Sequence, residues 1–176
     1  MRYSYKLIGL QPPRQEGFYV ERKISRFDAA KSTLAERESL KDIPLGQVAM
    51  VELTIIVPQA GYRFVVDDPL PAGLEPIDTS LKTTSRRYET DEEEQGNERN
   101  EYGWKYNYNP FNHVERHDDG VKLFADEIAA GVYRYKYMAR ATTPGVFELP
   151  GTTATLMYEP EQFGRGAEGT FSVTEP

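Results

Sequence analysis

The sequence predicts an all-β fold, an antiparallel β-sandwich, and three observations lead there. Short runs rich in β-branched and aromatic residues recur along the chain, and Pro, Gly and Asp-Gly turn signals separate most of them. Twelve Tyr and eight Phe stand against a single Trp, a balance that suits side chains packed on a pleated surface. About seven to nine such strands, closely punctuated by turns, are the pattern of a sandwich. The length of 176 residues is expected to make one domain, 1–176.

The elements follow in order. Residues 18–24, Phe-Tyr-Val-Glu-Arg-Lys-Ile, mix apolar and charged positions as an opening strand does. Residues 48–57 are long, β-branched and stopped by Pro58, which reads as a central core strand. Residues 62–68 come after only Gln59-Ala60-Gly61, so the two strands are expected to pair antiparallel. Residues 68–76 carry Pro69, Pro71 and Pro76 and cannot lie inside a sheet. His113 to His117 and Val121 to Ala125 flank Asp118-Asp119-Gly120, a hairpin signal. Residues 132–141 alternate tightly and set Tyr133, Tyr135 and Tyr137 on one face. Residues 146–150, 152–157 and 169–174 supply the last strands, with 157–165 as a loop between them. Asp28 to Leu40 has good helix formers behind an Asp28 cap, and 79–87 is a weaker helical stretch. The acidic, polar residues 91–103 are expected to form one long solvated loop.

Composition narrows the function classes. The net charge of −7 opposes a phosphate-binding surface and hence nucleic acid as a partner. The chain has no Cys, which removes disulfides, thiolate zinc sites and a Cys nucleophile. No apolar run approaches the roughly 20 residues of a membrane span, so no direct insertion into a membrane is expected. The first residues, Met1-Arg2-Tyr3-Ser4-Tyr5, have no signal-like apolar stretch. Read literally that means cytoplasmic, although a segment excised from a longer chain would leave its signal behind.

Candidate chemistry is thin. His113-x-Glu115-x-His117 puts two imidazoles and a carboxylate on one strand face, where zinc could bind, but the spacing is not that of a helical His-Glu-x-x-His site. The plainer reading is a solvated hairpin face with Val114 turned inward, and no metal and no cofactor are expected. Asp67-Asp68 and Asp118-Asp119 do not suit acid/base work, since neighbours on an extended chain point apart; a strand end and a turn account for them. Asp91 to Glu94 lacks the alternating ligands of a calcium loop. There is no phosphate loop or Gly-x-Ser-x-Gly elbow, and no catalytic residue is assigned. Trp104, Tyr106 and Tyr108 could form an aromatic binding surface for a glycan or a protein, or could pack over the sandwich edge. That surface is the alternative function: an extracytoplasmic carbohydrate- or protein-binding module.

Four segments in order carry a resemblance: 65–76 (VVDDPLPAGLEP), 113–125 (HVERHDDGVKLFA), 130–145 (AGVYRYKYMARATTPG) and 157–165 (MYEPEQFGR). This series resembles the C-terminal macroglobulin-like domain of bacterial alpha-2-macroglobulins over roughly residues 46–176, with 17–22 fitting more loosely. The resemblance implies a non-catalytic sandwich near the end of a much longer periplasmic or extracellular parent, in some cases a membrane-anchored lipoprotein. Such parents trap target proteinases, and many carry a Cys-Gln thioester. It further implies that Met157, Tyr158, Glu159 and Pro160 form an inter-domain loop, with Tyr158 shielding the thioester of a neighbouring domain of the same chain. A large aromatic keeps water from an electrophile. Because this chain has no Cys, that thioester would lie elsewhere in the parent or be missing.

Overall fold

The computed structural model describes residues 9–27, 39–78 and 109–175. These contain thirteen strands and no helix: β1 (Arg14–Glu16), β2 (Tyr19–Arg26), β3 (Asp42–Pro44), β4 (Val48–Val57), β5 (Gly61–Pro69), β6 (Leu74–Pro76), β7 (His113–His117), β8 (Gly120–Ile128), β9 (Gly131–Ala141), β10 (Gly145–Leu149), β11 (Thr153–Leu156), β12 (Glu159–Arg165) and β13 (Gly169–Thr174). Of the helix expected over residues 28–40, only Ser39 and Leu40 are described, and neither is helical. The weaker helix at 79–87 and the acidic loop at 91–103 lie outside the described residues.

The strands form a six-stranded sheet in the order β1-β12-β11-β5-β8-β7, a four-stranded sheet β2-β4-β9-β6 and a three-stranded sheet β10-β13-β3. All pairings are antiparallel except β13 with β3. This is the predicted sandwich. Period-two alternation sends one row of each large sheet inward: Phe64 and Val66 of β5 and Leu123 of β8 from one side, Val51, Leu53 and Ile55 of β4 from the other. Phe171 and Val173 of β13 join the same core. The three tyrosines of β9 share one face, as expected, and the structure turns that face inward, with Tyr133, Tyr135 and Tyr137 all buried. Each hydroxyl has a use: Tyr133 donates to the Ala129 carbonyl, Tyr135 accepts from Arg116, and Tyr137 donates to Asp68.

Several expectations need correction. β4 is central, between β2 and β9, but it does not pair with β5. The short connection through Pro58 and Gly61 carries the chain from the four-stranded sheet to the six-stranded one. Connection length does not distinguish a hairpin from an arch across the core. Both neighbour sites of β4 are filled by β2 and β9, so β5 must pair elsewhere. The proline segment is also more regular than expected. Pro69 closes β5 against Gly120, and Pro76 lies in β6, the edge strand beside β9. Strand ends and edges are where a missing N–H is tolerated.

Residues 159–165, read as part of a loop, form β12, between β1 and β11. Its sequence shows no alternation because its ladder is broken. Thr155 pairs with Phe163, but Leu156 pairs with Glu159 rather than Gln162. Residues 160–162 therefore leave the ladder, and Pro160 sits in that bulge, where no N–H is required.

Candidate contact site

The Met157 to Pro160 segment is the tip of the β11–β12 hairpin and the start of β12. Leu156 and Glu159 close it as a pair, leaving a two-residue turn, Met157-Tyr158. Tyr158 is 82% exposed and Met157 55%. The turn is nevertheless anchored on both sides. Leu156 is buried, and its side chain lies 2.9 Å from where a Cβ on Gly61 would stand. The Met157 amide donates to the Arg63 carbonyl at 2.9 Å. Thr155 donates its hydroxyl to the Gln162 carbonyl at 3.2 Å, and the Gln162 side-chain amide donates to Glu159 at 2.5 Å. Tyr62, 69% exposed, lies one residue from Arg63 at the same end of the sheet. A large aromatic is thus projected from a rigid base, which lowers the ordering cost of making a contact.

His113, Glu115 and His117 share one exposed face of β7, with each imidazole Nε2 near one Glu115 oxygen, at 3.2 and 3.3 Å. Hydrogen bonds from His117 and then His113 hold the Glu115 carboxyl below its ordinary pKa. Val114 is partly buried against the core, as expected. Among the described residues, no group of three His, Asp or Glu side chains is arranged to hold a metal ion. Asp118 and Asp119 make the two-residue turn between β7 and β8. Trp104, Tyr106 and Tyr108 lie outside the described residues.

Asp67 and Asp68 do point apart, but the reading of both as a plain strand end is overturned for Asp68. Asp67 faces outward and pairs with Lys122 at 2.8 Å. Asp68 is fully buried. It accepts from Arg22 at 2.7 Å, from the Thr152 hydroxyl at 2.5 Å and from the Tyr137 hydroxyl at 2.6 Å. Arg22 also donates to the carbonyls of Pro69, at 2.7 Å, and Pro150. Burial, and then the Asp68 charge, push the Tyr137 hydroxyl well above its ordinary pKa. β2 and β9 belong to one large sheet, β5 and β11 to the other, so this ion pair spans the core and fastens sheet to sheet. It ties down the end of β5 and the start of β11, the strands that run to the hairpin tip. The available signal was the pattern Phe64-x-Val66-x-Asp68, which places an aspartate in the inward row.

The fold and the projecting tip define a macroglobulin-like sandwich. Comparison with known families places residues 17–161 on the model described as "Bacterial Alpha-2-macroglobulin MG10 domain". The chain is 35% identical over 177 residues to an alpha-2-macroglobulin homolog of Nostoc sp., matching 98% of this chain and 9% of that protein. It is 28% identical over 147 residues to alpha-2-macroglobulin of Escherichia coli, matching 82% of this chain and 8% of that one. Among solved structures, Salmonella alpha-2-macroglobulin reacted with methylamine superposes with a TM-score of 0.69 at 25% identity, over 95% of this chain and 10% of that one. This chain belongs to the bacterial alpha-2-macroglobulin family. It spans less than a tenth of the length of these two relatives.

Proposed function

We propose that residues 1–176 form one non-catalytic domain of a longer proteinase-trapping chain, and that the domain works by contact through the Met157 to Pro160 tip. On this reading Tyr158 packs over the thioester of a neighbouring domain and keeps water from it until the parent is triggered. The observation that carries the reading is the contrast between Tyr158, 82% exposed on an anchored two-residue turn, and the buried tyrosines of β9. A large aromatic left in water on a rigid support suits a docking residue. The likeness to a Salmonella protein that was reacted with methylamine, a small amine, supports an electrophile in the parent. The target proteinases are partners of the parent, and a periplasmic or extracellular location follows from the same reading. No helix among the described residues is long and apolar enough to cross a membrane.

The test uses the full parent chain. Its coding sequence should carry a Cys-x-Glu-Gln motif, and Tyr158→Gly should speed the reaction of the thioester with methylamine. A parent with the motif whose methylamine reactivity is unchanged by Tyr158→Gly would remove the shielding role.

A further inference from the structure

Arg63 is the single non-glycine residue among those described with a left-handed backbone, at φ 55°. It lies within β5, where such a conformation is unexpected. L-residues are disfavoured there because Cβ crowds the backbone, and an arginine has none of the local hydrogen bonding that helps Asn or Asp. The β5–β8 ladder shows the effect: Tyr62 pairs with Glu127 and Phe64 with Ala125, while Arg63 and Asp126 are stepped over. The strain is held by its surroundings. The Arg63 guanidinium is clasped by Asp126, and the other Asp126 oxygen accepts from the Asn112 side-chain amide at 2.6 Å. Asn112 is fixed in turn by its own amide, which donates to the Phe124 carbonyl at 3.0 Å. Opposite the clasp, the Arg63 carbonyl receives the Met157 amide at 2.9 Å.

We infer that Arg63 is a positioning residue for Tyr158: its left-handed backbone aims the carbonyl that holds Met157, and so sets the direction in which the hairpin tip leaves the sheet. Strained backbone persists where neighbours over-determine it, and it concentrates where a side chain must be aimed. Two irregularities meet at this one turn. β5 is kinked at Arg63, and the β11–β12 ladder slips between Thr155 and Leu156. The Met157–Arg63 bond continues the β5–β11 register past Leu156 and Phe64, so the kinked residue is the last support of the tip. Tyr158 and Tyr62 beside it both face solvent. The inference rests on the reading of Tyr158 as the inter-domain contact, and the test separates the two.

In the full parent chain, Arg63→Gly and Arg63→Asn keep the left-handed conformation accessible, whereas Arg63→Val opposes it. Two quantities are read: hydrogen exchange of the Met157 amide, and the rate at which methylamine consumes the thioester. Arg63→Val is expected to speed Met157 exchange by about tenfold or more and to raise methylamine reactivity toward that of Tyr158→Gly. Arg63→Gly and Arg63→Asn are expected to stay close to wild type in both. Should Arg63→Val fail to fold, Asp126→Ala removes the clasp while leaving residue 63 intact, and it should loosen Met157 in the same way. The inference is overturned if the Met157 amide stays protected in these variants, or if Gly and Asn at position 63 are as damaging as Val. If Met157 is released but neither Arg63→Val nor Tyr158→Gly changes methylamine reactivity, the thioester role of the tip falls while the positioning of the tip by Arg63 stands.

Discussion

The Arg22 guanidinium meets the Asp68 carboxylate at 2.7 Å, with side-chain exposures of 5% and 0%, and joins the two large sheets at the end of β5. Two charges this deep lose their hydration, and only their mutual attraction and surrounding hydrogen bonds offset that cost. Here the offset is extensive, since Asp68 has three donors and Arg22 reaches two further carbonyls. Removing one partner strands the other. Arg22→Met or Asp68→Asn alone is expected to cost about 3–5 kcal/mol of unfolding free energy. The double variant Arg22→Met/Asp68→Asn is expected to cost clearly less than the sum of the singles. Urea unfolding of the three variants measures this, and additivity would show that the pair does not act as a unit.

Tyr137 gives the same hub a pH signature. Its hydroxyl donates to Asp68 at 2.6 Å in a buried site, and its pKa stands well above the ordinary 10.0. In the unfolded chain the phenol ionises near its ordinary value. The folded state therefore holds more protons than the unfolded state above that pH, and stability must fall as pH rises. The contribution is complete below pH 10 and is lost above it, at up to about 1.4 kcal/mol per pH unit for one proton. Tyr137→Phe should lower stability at neutral pH by about 1.5–3 kcal/mol, for a lost bond to a charged group. It should also flatten the alkaline limb. Unfolding free energies between pH 7 and 11 test both; an unchanged alkaline slope in the variant would count against the assignment.

How far these features can be read in advance depends on whether they are local. The β7–β8 hairpin, the shared face of the β9 tyrosines and the centrality of β4 follow from turn chemistry and period-two alternation, which neighbouring residues carry among themselves. In the sequence Asp68 looks like a plain strand end because its partners, Arg22, Tyr137 and Thr152, are 46, 69 and 84 residues away. No local pattern announces that an inward Asp will meet an inward Arg. β12 was hidden for a different reason: its bulge breaks the alternation that marks a strand. Family resemblance, not periodicity, singles out the tip residues Met157 to Pro160. Arg63 carried no signal at all, since residue type gives no hint of a left-handed arginine.

Gly164 separates steric from conformational demands on glycine. It lies in β12 with no left-handed backbone, but a Cβ there would stand 2.5 Å from the Phe18 carbonyl oxygen and 2.9 Å from its carbon. These are backbone atoms, so they cannot swing aside, and the Phe18 ring is packed edge-on against Phe64 at 5.0 Å. Gly46 is the opposite case, at φ 81° with nothing within 4 Å. Gly164→Ala is expected to cost about 1–3 kcal/mol through overpacking. Gly46→Ala should cost about 1–2 kcal/mol through backbone conformation alone. Replacing Gly46 by Asn, which tolerates the left-handed region, should recover much of the loss, whereas Asn at 164 should be worse than Ala. Thermal unfolding of the four variants decides this, and equal recovery at both positions would contradict the steric account.

The hairpin tip combines a residue that holds the fold with a neighbour that does not, and the two should separate cleanly in experiment. Leu156 is 5% exposed, belongs to the core and covers Gly61. Leu156→Ala should therefore cost about 2–5 kcal/mol, the range for a buried leucine truncated in a packed interior. Tyr158, two positions on, is 82% exposed, and no hydrogen bond of its hydroxyl contributes to the fold described above. Tyr158→Ser should change the stability of residues 1–176, expressed alone, by no more than about 0.5 kcal/mol in either direction. Urea unfolding of the two variants side by side makes the comparison, with the single Trp and the twelve Tyr as fluorescence probes. A large loss for Tyr158→Ser would mean that this side chain supports the sandwich from within, and its exposure could then no longer be taken as the mark of a surface kept for another domain.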